Sequence, residues 1–246
     1  GHLTIGGSDA VNLANKYGTP LYVFDDDTLR GRCRTFSTEF KTRYANCSVV
    51  YASKAYINPA LAKIIEEEGL GLDVVSGGEL AVAQSVEFPK EQVYFHGNNK
   101  SPDELQQAID WGIGRIVIDS FSELSILDDL AGQSHITQSV MLRVSPSVDP
   151  HTHHKTTTGI LDSKFGFAID TGDAAKAVRL AATASNLDLT GLHFHLGSPI
   201  FELEPYSTAM EVVLAFANNM KSEGLNLRDL SPGGGFAISY TRNQEP

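Results

Sequence analysis

Short apolar segments alternate with helical patterns along most of the chain, and this alternation limits the fold more than any other feature. The predicted strands are 48–53, 70–75, 93–96, 115–119, 140–145, 189–195 and 227–231. The predicted helices are 59–68, 78–85, 101–111, 122–130, 172–184 and 204–223. A strand followed by a helix, repeated about every 25 to 45 residues, is typical of a parallel sheet with crossover helices. The sequence therefore predicts an α/β fold of the TIM-type (β/α)8 barrel class.

The two ends of the chain do not follow this repeat. A barrel closes with eight strands, but residues 241–246 are polar and turn-like, so the barrel is expected to stop before strand eight. An open sheet would expose strand edges, which favours a chain cut from a longer one. Near the other end, 21–24 predicts a short strand and 27–40 predicts a helix. We expect an N-terminal segment, 1–26, followed by an incomplete barrel, 27–246.

Composition excludes several classes of protein. The chain has 246 residues, 41% hydrophobic and 20% charged, a length that suits one barrel or two small domains. Its net charge of −11 opposes binding to nucleic acid or to an anionic membrane. The sequence contains neither an apolar stretch of about 20 residues nor an N-terminal basic region followed by an apolar one. We expect a soluble cytoplasmic protein in which Cys33 and Cys47 are thiols, not part of a disulfide framework or a zinc site.

Lys54 follows the first predicted barrel strand, in the run VVYASKA. The small residues beside it, Ala52, Ser53 and Ala55, leave room for a bulky group. A lysine that is partly desolvated at the mouth of a sheet can form a Schiff base with an aldehyde cofactor. Alone, the pattern is weak, because a lysine snorkelling from a strand end is the commoner explanation.

Polar or glycine residues lie at or just after the carboxyl ends of the other predicted strands as well. They are Asp73, His96, Asp119, Arg143, His195 with Ser198, and Gly233, Gly234 and Gly235. In a parallel barrel the loops after the carboxyl ends of the strands form the mouth of the site, so these residues are expected to meet there. Backbone N–H groups of a glycine run can approach a phosphate closely. A reactive lysine with a phosphate-binding loop suggests pyridoxal 5′-phosphate.

A histidine-rich segment, 149–155, reads DPHTHHK and contains Asp149 and three histidines. These residue types could bind a divalent metal, but structural metal sites usually draw ligands from more than one segment. We therefore expect no metal site, and we interpret the segment as a flap over the barrel mouth.

Motifs along nearly the whole chain together resemble one family. They are YASKA at 51–55, GLDVVSGGEL at 71–80, HGNNKS at 96–101, LRVSP at 142–146, HTHHKTTTG at 151–159, SKFGF at 163–167, GLHFHLGS at 191–198 and SPGGGF at 231–236. The chain resembles the fold-type III pyridoxal phosphate-dependent decarboxylases, alanine racemase-like barrels that act on ornithine, arginine or diaminopimelate. The histidine-rich loop and the HFHLGS motif are most similar to the diaminopimelate group.

The resemblance implies a role for each of these site residues. Lys54 would carry the cofactor, and His195 would stack on the pyridine ring. Ser198 and Gly233 to Gly235 would hold the phosphate, Asp73 and Arg143 would orient lysine and cofactor, and Glu79 would lie on the substrate side. For Glu79 a favourable charge in a first helical turn is an alternative explanation, and for His193 a hydrogen bond to a backbone carbonyl.

The resemblance also implies an activity and an assembly. The expected reaction is decarboxylation of meso-2,6-diaminopimelate to L-lysine and CO2 by a homodimer, with residues 1–26 joining a C-terminal β-domain. The family's Glu-Pro-Gly-Arg motif and its proton-donating cysteine motif are not found in these 246 residues, so we expect the chain alone to be inactive. Two alternatives remain open: a sister decarboxylase acting on ornithine, arginine or carboxynorspermidine, and a non-catalytic barrel that binds pyridoxal phosphate for regulation.

Overall fold

A computed structural model describes residues 1–148 and 165–239 of the chain. Its strands are β1 Thr4–Ile5, β2 Ser8–Asp9, β3 Val50–Ala52, β4 Gly71–Val74, β5 Val93–Phe95, β6 Arg115–Ile118, β7 Gln138–Ser145, β8 Phe167–Ala168, β9 Leu187–His193 and β10 Asp229–Ser231. Its α-helices are α1 Ala10–Tyr17, α2 Asp26–Lys41, α3 Pro59–Glu67, α4 Gly77–Ser85, α5 Pro102–Trp111, α6 Phe121–Gln133, α7 Asp173–Thr183 and α8 Glu204–Asn219.

The main sheet is parallel and carries the predicted strand–helix repeat. Its strands lie in the order β10-β9-β7-β6-β5-β4-β3, and β8 pairs with β7 beside this path. Each predicted strand overlaps an observed one, so the parallel α/β architecture is confirmed. The two-residue strand β8 was not predicted, because two residues are too few to show a periodic pattern.

One face of the inner strands is apolar and packs against the helices. Leu72, Val93, Phe95, Ile116 and Leu142, which share this face in the strand register, are all fully buried. The covering helices begin at side-chain caps, for example Ser101, which forms a capping box with Glu104 at the start of α5. This packing fixes the strands so that their carboxyl ends lie along one rim.

The sheet curls until strands far apart in its order meet. Arg115, the first residue of β6, donates from Nε to Oδ2 of Asp229, the first residue of β10, at 2.9 Å. Two other strands, β7 and β9, separate β6 and β10 in the sheet. This contact lies at the amino end of the sheet and requires the curvature of a barrel wall, in agreement with the predicted barrel class.

The N-terminal region differs from the prediction. Residues 21–24 form no strand among the described residues, and Tyr22 is 87% exposed. A β-hairpin of β1 and β2 and the short helix α1 precede this segment instead. The strand prediction was wrong because apolar alternation can create a strand only where a partner strand supplies ladder hydrogen bonds. The described helices include none with the length and apolarity needed to cross a membrane.

Candidate functional site

Lys54 lies at the carboxyl end of the sheet, in a single 3-10 turn, Ser53–Ala55, directly after β3. Its side chain is exposed, so the partial desolvation expected from the sequence is not present in this structure. Its positive charge acts on Asp73, Glu79 and His195. The amine is therefore accessible to solvent, and it lies close enough to two carboxylates and one imidazole for its charge to affect their pKa values.

Asp73 on β4 carries an unsatisfied carboxylate oxygen. Its Oδ1 is buried and accepts no hydrogen bond within the described residues, and Oδ2 lies 3.9 Å from Nε2 of His96. Burial raises the pKa of Asp73 to about 7, although the charge of Lys54 opposes this shift. A buried acceptor without a donor is costly, so this oxygen is a natural contact for a bound group.

Glu79 caps the start of α4. Its Oε2 accepts a hydrogen bond from the backbone N–H of Val75 at 2.8 Å, while Oγ of Ser76 accepts from the N–H of Glu79. Burial raises the pKa of Glu79, and the Val75 N–H and the charge of Lys54 oppose this effect. The first-turn position considered from the sequence is thus present, in a carboxylate on which the charge of Lys54 also acts.

Arg143 on β7 is held in place from two sides. Its Nη1 lies 3.3 Å from Oδ1 of Asp119, and its guanidinium lies 4.5 Å from the ring centroid of Phe165. The other oxygen of Asp119 accepts the N–H of Gly166 at 3.0 Å. Asp119, interpreted from the sequence as a strand-end residue, therefore anchors both the arginine and the chain that returns toward β8.

Three histidines at the same rim are kept neutral. Burial lowers the pKa of His195 to about 4, and the positive charges of Lys54 and Arg143 contribute further. Burial likewise lowers the pKa of His96 to about 3, and that of His193 well below its ordinary value. Neutral imidazoles can each accept one hydrogen bond and donate another, which positions them to contact an uncharged ring or a hydroxyl.

The glycine loop after β10 packs closely against the turn after β9. Gly235 has φ +97°, and a Cβ there would lie 2.0 Å from the carbonyl oxygen of Gly197. Gly233 has φ +73°, and a Cβ there would come within 2.8 Å of Nδ1 of His195. Only glycine fits these two positions.

The middle of the same loop is open. Gly234 has free space on its Cβ side, and its carbonyl accepts the hydroxyl of Tyr206 at 2.8 Å. Ser198 follows Gly197 in the facing turn and is exposed. The two turns are joined by a hydrogen bond from the N–H of Ile200 to the carbonyl of Gly235 at 2.8 Å. The backbone of the loop thus lies next to the ring of His195, and the open space on the Cβ side of Gly234 leaves room for an anion.

Two charged residues near the rim were not assigned a role from the sequence. Lys100 and Glu123 form a buried ion pair at 2.8 Å, and Nζ of Lys100 also donates to the carbonyls of Gly97 and Val117. The lysine was visible in the HGNNKS motif, but its burial depends on tertiary packing. Such a buried cation ties the end of β5 to the end of β6.

The histidine-rich segment 149–155, predicted to be a flap without a metal, lies outside the described residues. Among residues 1–148 and 165–239, no cluster of three or more potential metal ligands occurs.

Comparison with known proteins agrees with this arrangement. A family model described as "Pyridoxal-dependent decarboxylase, pyridoxal binding domain" matches residues 27–246. Over 247 aligned residues the chain is 44% identical to the diaminopimelate decarboxylase of Bacillus subtilis (strain 168), covering 100% of this chain and 56% of that protein. It is 42% identical to the diaminopimelate decarboxylase of Bacillus methanolicus, covering 57% of that protein.

The solved structures that resemble this chain include diaminopimelate decarboxylases as well. A diaminopimelate decarboxylase from M. jannaschii in complex with L-lysine has a TM-score of 0.89 at 33% identity, over 100% of this chain and 57% of that one. The enzyme from Helicobacter pylori complexed with L-lysine has a TM-score of 0.83 at 28% identity, over 96% and 59%. The chain spans little more than half the length of these relatives. Because the family model covers most of its residues, the chain belongs to the pyridoxal-binding domains of the pyridoxal-dependent decarboxylases.

Proposed function

We propose that this chain forms the cofactor domain of a diaminopimelate decarboxylase, which converts meso-2,6-diaminopimelate to L-lysine and CO2. The observation that carries the proposal is the meeting of Lys54, the neutral His195 and the glycine loop 233–235 at the carboxyl rim of one curled parallel sheet. The two Bacillus relatives named above are diaminopimelate decarboxylases, and this supports the choice of substrate.

The residues at the rim fit pyridoxal 5′-phosphate. The two glycines that exclude a Cβ provide close backbone approach, and Gly234 faces open space. The buried Oδ1 of Asp73 lacks a donor among the described residues. We infer that Lys54 holds the aldehyde carbon, that Ser198 and Gly233 to Gly235 hold the phosphate, and that His195 contacts the ring. When bound, the cofactor accepts the electron pair released as the substrate loses its carboxylate.

The chain's own groups then position charge and protons. The carboxylates of Asp73 and Glu79 orient the Lys54 amine. Because its pKa is raised to about 7, Asp73 can hold or release a proton at its carboxylate near neutral pH. Arg143, fixed by Asp119 and Phe165, supplies a cation for an anionic part of the cofactor or substrate. Since burial keeps His195 neutral, its ring adds no charge to the site.

We further propose a homodimer located in the cytoplasm, with an amino-acid substrate and no nucleic-acid partner. The net charge of −11 supports the exclusion of nucleic acid. The segment 21–24, apolar and exposed, supports the assignment of residues 1–26 to a separate part that pairs with a C-terminal β-domain, beside a barrel domain from residue 27.

Borohydride trapping tests the cofactor assignment. The full-length protein is incubated with pyridoxal phosphate, reduced, and mapped by peptide mass spectrometry, beside Lys54→Ala and the control Lys63→Ala on the exposed face of α3. We expect one adduct, on Lys54, lost in Lys54→Ala and retained in Lys63→Ala. An adduct confined to another lysine would contradict the assignment.

Turnover tests the substrate. In the full-length protein we expect lysine and CO2 from meso-2,6-diaminopimelate, and a loss of roughly a thousandfold or more in kcat for Lys54→Ala, because this variant lacks the amine that would carry the cofactor. Faster turnover of ornithine or arginine than of diaminopimelate would overturn the substrate assignment and leave the cofactor assignment intact.

A further inference from the structure

His193, the last residue of β9, has no role in the proposed reaction, yet it is only 5% exposed. Its Nδ1 lies 2.9 Å from Oγ of Ser231, the residue beside it in the register of β10. A buried polar pair between two strands is costly unless its hydrogen bonds are satisfied, so its partners indicate what it stabilises.

The serine of this pair contacts the glycine loop 233–235. Oγ of Ser231 accepts the backbone N–H of Gly233, with the nitrogen 3.4 Å away. The carbonyl of Ser231 accepts the N–H of Phe194 at 3.0 Å, which fixes the serine backbone against β9. The serine hydroxyl is therefore the link between the end of β10 and the left-handed turn at Gly233.

The histidine of this pair contacts His96, which lies near Asp73. The ring of His193 meets the ring of His96 edge to face, with centroids 4.5 Å apart and planes at 74°. His96 in turn lies 3.9 Å from Asp73. A series of neighbouring side chains therefore connects Asp73 on β4 to the glycine loop. Its members are Asp73, His96, His193 and Ser231, and Ser231 contacts Gly233.

The proton arrangement of this link follows from its donors. Because burial keeps His193 neutral, one ring nitrogen accepts and the other donates. Oγ of Ser231 accepts the N–H of Gly233 and can donate its own proton to Nδ1 of His193. This donation requires the Nε2–H tautomer of His193 and fixes the direction of the serine hydroxyl.

We propose that His193 is a positioning residue that holds the Ser231 hydroxyl, and through it the N–H of Gly233, in the conformation that binds the phosphate of the cofactor. The inference rests on the proposed function, because it assumes that Gly233 to Gly235 hold that phosphate. The proposal places the effect of His193 on phosphate recognition, through Ser231 and Gly233.

The test compares two aldehydes, pyridoxal phosphate and pyridoxal, which lacks the phosphate. In the full-length protein, affinity for each is measured from the absorbance of the Schiff base for wild type, His193→Leu and Ser231→Ala. We expect both variants to bind pyridoxal phosphate about tenfold more weakly, since one hydrogen bond that orders the loop is lost. Binding of pyridoxal should change by less than about twofold.

A conservative variant and a spectroscopic signal separate positioning from general damage. The side-chain oxygen of His193→Asn can accept the Ser231 proton, so this variant should recover most of the lost affinity. The 31P chemical shift of the bound phosphate should move in His193→Leu and return in His193→Asn. Ser231→Ala removes only one hydroxyl group, so it still tests the proposal if His193→Leu does not fold.

The outcomes distinguish the two proposals. If wild type binds no pyridoxal phosphate, the proposed function fails and this inference fails with it. If wild type binds it but His193→Leu and Ser231→Ala bind it equally well, or lose affinity for both aldehydes alike, only the positioning role of His193 is overturned.

Discussion

At the scale of single residues, the candidate site combines acidic and basic groups whose pKa values burial shifts in opposite directions. Burial raises the pKa of Asp73 and lowers those of His96 and His195, so the folded rim favours the neutral form of each. A neutral acid beside neutral imidazoles gives a polar but weakly charged site, in which Lys54 and Arg143 are the prominent cations.

The raised pKa of Asp73 predicts a pH-dependent effect on stability. The folded-state pKa of about 7 lies above the unfolded value near 3.9, so folded protein keeps a proton that unfolded protein releases between about pH 4 and 7. The contribution of Asp73 to stability therefore decreases as pH rises through this window.

Removing the carboxylate should remove that decrease. Relative to wild type, the free energy of unfolding of Asp73→Asn should increase from pH 4 to pH 7, by at most about 1.4 kcal/mol per pH unit. Urea denaturation of both proteins across this range measures the difference. Curves that stay parallel would mean that Asp73 has an ordinary pKa in the folded protein.

Strand-end position was enough to predict most of the rim from sequence. Asp73, Arg143, His195 and the glycines all lie near or just after the carboxyl ends of parallel strands, and parallel strands end at the same edge. The exposure of Lys54 and the pairing of Lys100 with Glu123 were not predicted, because both depend on which side chains pack around them. His193 had a local explanation from sequence, but its partner is a side chain 38 residues away.

At the scale of elements, the helix caps connect neighbouring helices to the site. Glu104 accepts the N–H of Ser101 through Oε2, and through Oε1 it accepts the N–H of Gly77 at the start of α4 at 2.7 Å. The contact to Gly77 crosses between helices, so no local sequence pattern predicts it. One carboxylate thus caps α5 and restrains the helix that begins beside Glu79.

This double role predicts unequal costs for the two halves of the capping box. Ser101→Ala should lower the free energy of unfolding by about 1 kcal/mol, the usual cost of losing an N-cap. Glu104→Ala should cost about twice as much, because it also leaves the Gly77 N–H without its acceptor. Chemical denaturation of both variants decides the point, and equal costs would show that the contact to Gly77 contributes nothing.

At the scale of the whole molecule, the regular repeat was predictable and the N-terminal region was not. Seven strands and their crossover helices follow from periodicity and from the preference for parallel neighbours. The segment 21–24 has a similar apolar pattern, but no strand in the described part of the chain pairs with it. Periodicity thus predicts the strands but says little about the curvature of the sheet, which depends on contacts between distant residues.

The ion pair between Arg115 and Asp229 is such a contact and can be measured. Arg115→Met and Asp229→Asn should each destabilise the protein, and the double variant by less than their sum, with a coupling energy of about 0.5–1 kcal/mol. The pair lies at the starts of β6 and β10, at the end of the sheet opposite Lys54, so affinity for pyridoxal phosphate should not change. Additive losses would mean that the two side chains do not interact.

The same ion pair has a consequence for the protein while it is being made. Arg115 leaves the ribosome 114 residues before Asp229, a delay on the order of ten seconds at ordinary rates of synthesis. Until then the nascent sheet lacks β10, so the edge of β9 that pairs with it is exposed. The interval before Asp229 is made is therefore the stage at which a chaperone has most to cover.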